Sequence, residues 1–416
     1  MKISVLSDCH LGSGHNTERE EDAFDNFKEA LEKSADCDLI LIAGDLFDTR
    51  SPRTTVWARA IELLNIPLQR KSGIVPIAST REIATVHTKT LESTPVVCLH
   101  GNHDRRMRDE VNAVQALDAA GMLIHLHRQN MVFEKDGVKL AIHGMSSVPE
   151  KYAGDVLREW GPRPIQDCFN VMVMHQNVDP YVYSPLEPPS IKLEDLPAGF
   201  DMILNGHIHT KVIDKVGDTL FMILGSTVTT QFDKKEAGSV KGFHKMTFES
   251  GKRPEVEFVP IESNRRFFYY EMTAENVEMM RTQMDAILDD ISSSRLAKKP
   301  IVKFKIFGKD TKPIDQDIAM LQRKYGDKVV LSFAKNLTSE SMENGLSKSL
   351  MDMESKLSVE EMGLRLMRQN MDGMGSKASF DVESLFEMLS GGEVDKAMAV
   401  ITNDQKFLYE NMRSGQ

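Results

Sequence analysis

Cysteine is scarce in this chain: four residues in 416, at positions 9, 37, 98 and 168, with no pair in C-x-x-C spacing. That argues against a disulfide framework or a thiolate zinc knuckle, and buried free thiols are expected instead. No uncharged apolar run approaches the ~20 residues needed to cross a bilayer, so no membrane association is expected. Positive charge is also short, with 51 Lys and Arg against 62 Asp and Glu, a net −11. Such a balance does not suit a protein that coats nucleic acid through bulk charge. It leaves room for an enzyme whose carboxylates hold cations and whose local basic patches meet phosphates. No leader-like stretch precedes the first strand-like run, so a cytoplasmic protein without a targeting signal is expected.

What is present is an ordinary globular composition, 41% hydrophobic and 27% charged, long enough for two or three domains. Residues 1–262 alternate short apolar runs with helix-like stretches. The runs are Ile3–Leu6, Leu39–Ala43, Val96–Leu99, Val138–Ile142, Val171–Met174, Met202–Leu204 and Leu220–Leu224. Phe24, Phe27 and Leu31 stand at helical spacing between the first two, and the alternation predicts a layered α/β domain. Residues 66–94 have no clean period and read as an extended insertion, either functional or a disordered surface loop.

From Arg265 the character changes. RRFFYYEMT reads as a strand, and Thr273 as the cap of a helix carrying Met280, Met284, Leu288 and Ile291 on one face. IVKFKIFG, Asp315–Tyr325 and KVVLSFAKN then complete a β-α-β-α-β pattern, predicting a small α+β domain over 263–338. In 339–416 the strands stop. Ser358 and Glu361 have capping-box spacing ahead of Met362, Leu366 and Met367, and a second stripe runs through Val382, Leu385, Phe386 and Leu389. A third holds Val394, Ala397, Met398 and Ile401. Helices this short need a surface to pack on, either within the chain or on a partner.

Five segments each end a strand-like run with groups that can bind metal. They are SDCH (Asp8, His10), GDLFD (Asp45, Asp48), GNHD (Asn102, His103, Asp104), MHQN (His175) and GHIH (His207, His209). In layered α/β domains, sites form beyond the carboxyl ends of strands, so the five segments can meet in one crevice. In Asp-x-His and His-x-His, an extended backbone would set both side chains on one face. Carboxylate, imidazole and amide oxygen suit divalent Mn, Fe or Zn, and a binuclear site is expected. Arg105, Arg106 and Arg108 form one basic patch and Lys234, Lys235 and Lys241 another; each is a phosphate contact or a solvated surface. His143 is expected near the site. His15, His87, His100, His125, His127 and His244 have no ligand context.

The ordered set D-x-H, GDxxD, GNHD, H, GHxH over residues 1–262 resembles the calcineurin-like metallophosphoesterase superfamily. More narrowly, the Ser51-Pro52 turn, the basic stretch after LHGNHD, the 263–338 unit and the helical tail resemble its SbcD-like double-strand-break repair nucleases. The resemblance implies two β-sheets flanked by helices, a DNA-capping domain at 263–338 and an ATPase-binding tail at 339–416. One metal would take Asp8, His10 and His209, the other Asn102, His175 and His207, with Asp45 bridging. Mn would be the ion, two per chain. His103 would be the catalytic acid or transition-state stabiliser, and Asp104 would orient its imidazole. Several family members carry at the position of Asp48 a His that positions the scissile phosphate for exonuclease cutting; Asp48 would either position the phosphate or orient a ligand histidine, and the activity implied is exonuclease, endonuclease or both. The implied partners are DNA ends, met in part by Arg105, Arg106 and Arg108, and an SMC-like zinc-hook ATPase. The tail stripes, Met362 to Leu389, would bind that ATPase, and a second copy would pair through Ala23–Leu31 or Val111–Leu123, in a nucleoid-associated protein. The rival readings are a small-molecule or cyclic-nucleotide phosphodiesterase or phosphatase, and a DNA-bridging scaffold in which catalysis is dispensable.

Overall fold

The computed structural model describes residues 1–106, 110–182, 191–309 and 312–338. The tail stripes and Arg108 therefore lie outside the described residues. Residues Met1–Leu337 form one compact unit.

Its centre is a pair of stacked sheets. The first has six strands in the order Glu255–Pro260, Gly242–Thr247, Lys2–Leu6, Leu39–Ala43, Val96–Leu99, Ile124–His125. The last four are parallel to one another, and Gly242–Thr247 runs antiparallel to Lys2–Leu6. The second has seven, in the order Val212–Val216, Thr219–Ile223, Met202–Asn205, Phe169–Met174, Val138–Met145, Gln129–Lys135, Val75–Ser79. Its four central strands are parallel, and its edges are antiparallel.

Strand alternation explains the layering. Leu39, Leu41 and Ala43 face Phe133, Ile142, Val171 and Leu204 in a core between the sheets. Ile40 and Ile42, one residue out of phase, pack under Phe27, Leu31, Leu64 and Leu117 from the covering helices. On the far side Met172, Ile203 and Phe221 meet Ala153 and Leu157 of helix Glu150–Trp160. The result is helix, sheet, sheet, helix, with the central strands buried on both faces, which is why they read as unbroken apolar runs. Cys9, Cys37 and Cys98 are buried and Cys168 half-buried, all as free thiols.

Two expectations need correction. The 66–94 segment is no free insertion: it finishes helix Thr54–Leu68, adds Val75–Ser79 as an edge strand and closes with helix Thr88–Glu92. Thr273 ends a strand, and the following helix, Val277–Ser293, is capped by Asn276, whose side chain accepts from Met279 N at 3.0 Å. Within the segments Ala23–Leu31 and Val111–Leu123, the buried apolar residues pack into their own core, while Val111 is 68% exposed.

Beyond Arg265 a three-stranded sheet, Phe267–Thr273, Ile301–Lys309, Val330–Thr338, carries helices Val277–Ser293 and Lys312–Tyr325. It has its own core, in which Met280, Met284 and Leu288 pack against Phe304, Ile306 and Leu321. Arg265 ties it to the first helix. Its guanidinium meets Asp22 at 2.6 and 3.0 Å and donates to the carbonyls of Glu18 and Lys299, while Lys298 adds a contact to Asp22 at 3.3 Å.

Candidate metal centre

All five motif segments leave the carboxyl ends of parallel strands: Asp8 and His10 after Lys2–Leu6, Asp45 and Asp48 after Leu39–Ala43, Asn102 to Asp104 after Val96–Leu99. His175 follows Phe169–Met174, and His207 and His209 follow Met202–Asn205. Three come from one sheet and two from the other, so the site lies across the end of the sandwich. Glycine makes that approach possible. A Cβ on Gly101 would collide with the Asp45 carboxylate, and one on Gly206 with the Ala43 carbonyl and the His175 ring.

The backbone is not extended there, contrary to the same-face argument. Asp8, His10, Asp45 and His207 have φ of 51°, 46°, 49° and 75°, the left-handed region that costs non-glycine residues energy. A tight turn, with Asp8 N donating to the Gly44 carbonyl and Cys9 N and His10 N both to that of Asp45, aims the side chains inward.

Two clusters of donors result. In the first, Asp8, His10 and His209 bring their ligand atoms together, with His10 Nε2 and His209 Nε2 3.1 Å apart and Asp8 Oδ1 3.6 Å from His209 Nε2. In the second, His175 Nε2 lies 3.2 Å from Asp45 Oδ2 and 3.1 Å from Asn102 Oδ1, and His207 Nδ1 is 2.9 Å from the same amide oxygen. Asp8, Asp45 and His175 also form a mutually close group.

Proton bookkeeping shows what these clusters fit. His175 Nδ1 faces the Ala43 carbonyl at 2.7 Å and must donate to it. In the neutral ring Nε2 then carries a lone pair, yet it faces two oxygen acceptors. His10 Nδ1 is likewise turned to Asp48 Oδ1 at 3.2 Å, and His209 Nδ1 to Glu236 Oε1 at 3.1 Å. With both rings neutral and their protons on Nδ1, the two Nε2 atoms, 3.1 Å apart, would point lone pairs at each other. Lone pairs converging from both sides fit a divalent cation at each cluster.

The titration behaviour of the bare residues agrees. Burial opposes charge on His10, but Asp48, Asp45 and Asp8 outweigh it and raise its pKa to about 9. Burial likewise opposes charge on His175, and Asp45 raises it to about 9. A proton is being drawn to where a metal ion would sit. His207 and His209 are pushed down, chiefly by burial, with Glu236 resisting at His209. Asp45 is held well below the usual carboxylate range; burial acts against this, and His175 and His103 carry it.

Around this centre the placements of predicted residues differ from expectation. His103 stands exposed at the rim, its ring edge-on to His10 with centroids 4.9 Å apart. Its Nδ1 donates to the Asp48 main-chain carbonyl at 2.8 Å, not to Asp104. Asp104 is fully buried and accepts from Leu46 N, Phe47 N and Gly101 N at 3.1, 2.9 and 2.9 Å. Burial, then Asp45, raise its pKa to about 6 against those three donors. Asp104 thus braces two motif loops against each other and does not reach the His103 ring.

Arg106 does not hang free either: it reaches the Arg50 carbonyl, the Ser51 hydroxyl at 2.7 Å and Glu110. Arg105 donates to the Ser147 hydroxyl at 3.4 Å. Lys241, expected in a basic patch with Lys234 and Lys235, is instead 1% exposed, its ammonium 3.2 Å from Glu236. His143 bonds Asn170 and packs on Phe200, neither of them a residue of the centre.

Sequence reasoning passed over Glu236, 27 residues past His209 and in no strand-end motif. It also gave no context to His100 and His125, which are buried and hydrogen-bonded ring to ring at 2.9 Å. Burial drives both below their ordinary pKa, that of His125 to about 3.

Residues 1–211, just over half of the chain, match the calcineurin-like phosphoesterase family, and the chain belongs to it. Divalent-metal use is implied by that membership. Among individual relatives, the chain is similar to the DNA double-strand break repair protein Mre11 of Methanopyrus kandleri, 27% identical over 301 residues, covering 67% of this chain and 61% of that one. It is similar to Mre11 of Sulfolobus acidocaldarius at 22% over 330 residues, 77% of this chain and 78% of the other. The double-strand break repair protein MRE11 of Mus musculus is 27% identical over 309 residues, 66% of this chain but only 43% of its own length. The chain thus spans less than two thirds of the first and last of these relatives.

Proposed function

We propose that this chain is a Mn2+-dependent DNA phosphodiesterase of double-strand-break repair, acting at DNA ends. The converging lone pairs of His10, His209 and His175 carry the metal assignment, and the similarity to Mre11 proteins from archaea and eukaryotes supports the substrate. Asp8, His10 and His209 would hold one ion, Asn102, His175 and His207 the other, and Asp45 would serve both. When bound, such a pair supplies Lewis acidity and a water nucleophile for in-line displacement at phosphorus.

The chain's own residues do the rest. Asp48 and Glu236 face Nδ1 of His10 and His209, which favours each ring turning its Nε2 inward. His103, anchored through Nδ1 by the Asp48 carbonyl, presents Nε2 at the rim, where in its protonated form it donates to the leaving oxygen. Its exposure suits a macromolecular substrate. We assign DNA capping to the three-stranded unit beyond Arg265, and partner binding to the stripes Met362 to Leu389, the partner being an SMC-like ATPase in an assembly with two copies of this chain.

The test is labelled hairpin DNA and bis-p-nitrophenyl phosphate, each incubated with Mn2+ and with EDTA. Cleavage of both in Mn2+ and of neither in EDTA is expected. Cleavage of the small ester alone would overturn the DNA assignment in favour of a small-molecule phosphodiesterase.

A further inference from the structure

Behind His209 lies a buried charged cluster that the motif residues leave unexplained. Glu236 is 4% exposed and Lys241 1%. Glu236 Oε1 faces His209 Nδ1 at 3.1 Å, and its Oε2 accepts from Thr230 N and Gln231 N, both at 3.0 Å. Lys241 fills its three donors with Glu236 Oε1 at 3.2 Å, the Ser226 hydroxyl at 2.8 Å and the His209 carbonyl at 3.2 Å. The pair therefore grips His209 twice, Glu236 at the ring and Lys241 at the main chain.

Burying two charges is costly unless each is fully satisfied. Here both are, and the arrangement sits against one ring only. Its loop is fixed at the other end as well. Asp233 caps the short helix Lys234–Ala237, accepting from Glu236 N at 2.7 Å. Phe232 packs on Phe267 with centroids 5.3 Å apart, and Lys303 donates to the Phe232 carbonyl at 2.6 Å. The loop is thus held between His209 and the three-stranded sheet.

We propose that Glu236 and Lys241 are positioning residues for the His209 ligand, with Glu236 holding Nδ1–H outward so that Nε2 is offered to one ion of the pair. This rests on the metal-site reading above. Thr230, whose hydroxyl is 2.7 Å from the same Nδ1, shares that role. Carboxylates that orient a ligand histidine in this way set metal affinity, and their loss typically weakens it by about 10–100-fold.

The experiment is calorimetric titration of the metal-free full chain with Mn2+, together with the apo melting curve of each variant. For the wild type two equivalents are expected. Glu236→Leu should bind one of them about 10–100-fold more weakly and leave the other unchanged. Glu236→Gln keeps an acceptor oxygen for Nδ1–H and should fall between the two. Lys234→Ala, an exposed neighbour on the same helix, should titrate as wild type. Wild-type binding in both Glu236 variants, or equal weakening of both equivalents, would overturn the proposal. If Glu236→Leu does not fold, Glu236→Gln decides by the same two criteria. A wild-type chain that takes up no Mn2+ would instead overturn the metal assignment itself.

Discussion

Asp8, His10, Asp45 and His207 sit in left-handed backbone that none of them favours, and they sit there together. Strain of this kind persists only where surrounding contacts over-determine it, and it concentrates at functional sites. The sequence displayed which residues these are but not how they turn, because main-chain bonds between neighbouring loops, such as Asp8 N to the Gly44 carbonyl and His10 N to that of Asp45, fix the turn. The same limit separated His103 from Asp104. Adjacent in sequence, they diverge in space, because three main-chain amides claim the Asp104 carboxylate. Two predictions follow at this scale. His103→Leu should abolish DNA cleavage, by at least about 100-fold as loss of a general acid implies, while both Mn2+ equivalents still bind in calorimetry. Loss of either ion would mean that His103 is a ligand. The buried His125, held neutral down to about pH 3, makes the second. Its folded pKa lies below its unfolded value, so the unfolded chain takes up the proton first and stability falls as pH drops below about 6.5. Against wild type in urea melts of the metal-free chain, His125→Gln should remove about 2 kcal/mol of the loss between pH 7 and pH 5. Identical losses in the two proteins would contradict this.

Among elements, the buried parallel strands were legible because both faces are covered and their apolar runs are continuous. Edge strands were not. Val75–Ser79, Val212–Val216 and Glu255–Pro260 mix exposed and half-buried positions, and their order is fixed by pairing rather than by local composition. Nor did spacing point to Glu236, whose role depends on a loop returning to His209. The joint between helix Asp22–Lys33 and the three-stranded unit belongs to the same class. Asp22 is 2% exposed and Arg265 6%, so removing one partner strands a buried charge. Asp22→Ala should cost about 3–5 kcal/mol and release the 267–337 unit to protease before the sandwich is cut. Simultaneous digestion of both parts would show that this ion pair is not what joins them.

For the whole molecule, the candidate metal centre is assembled from both sheets at one end of the sandwich. The stripes Met362 to Leu389 lie outside the described residues. Met367→Glu together with Phe386→Glu should release the proposed ATPase partner in co-purification while sparing cleavage of bis-p-nitrophenyl phosphate; its retention would reject the assignment. No helix among the described residues is long and apolar enough to cross a membrane. The two-metal centre is tested most directly by anomalous diffraction at the manganese edge from crystals soaked in Mn2+. The account predicts two peaks per chain, one among Asp8, His10 and His209, one among Asn102, His175 and His207, with Asp45 touching both. A single peak, or one held by His10, Asp48 and His103, would contradict it.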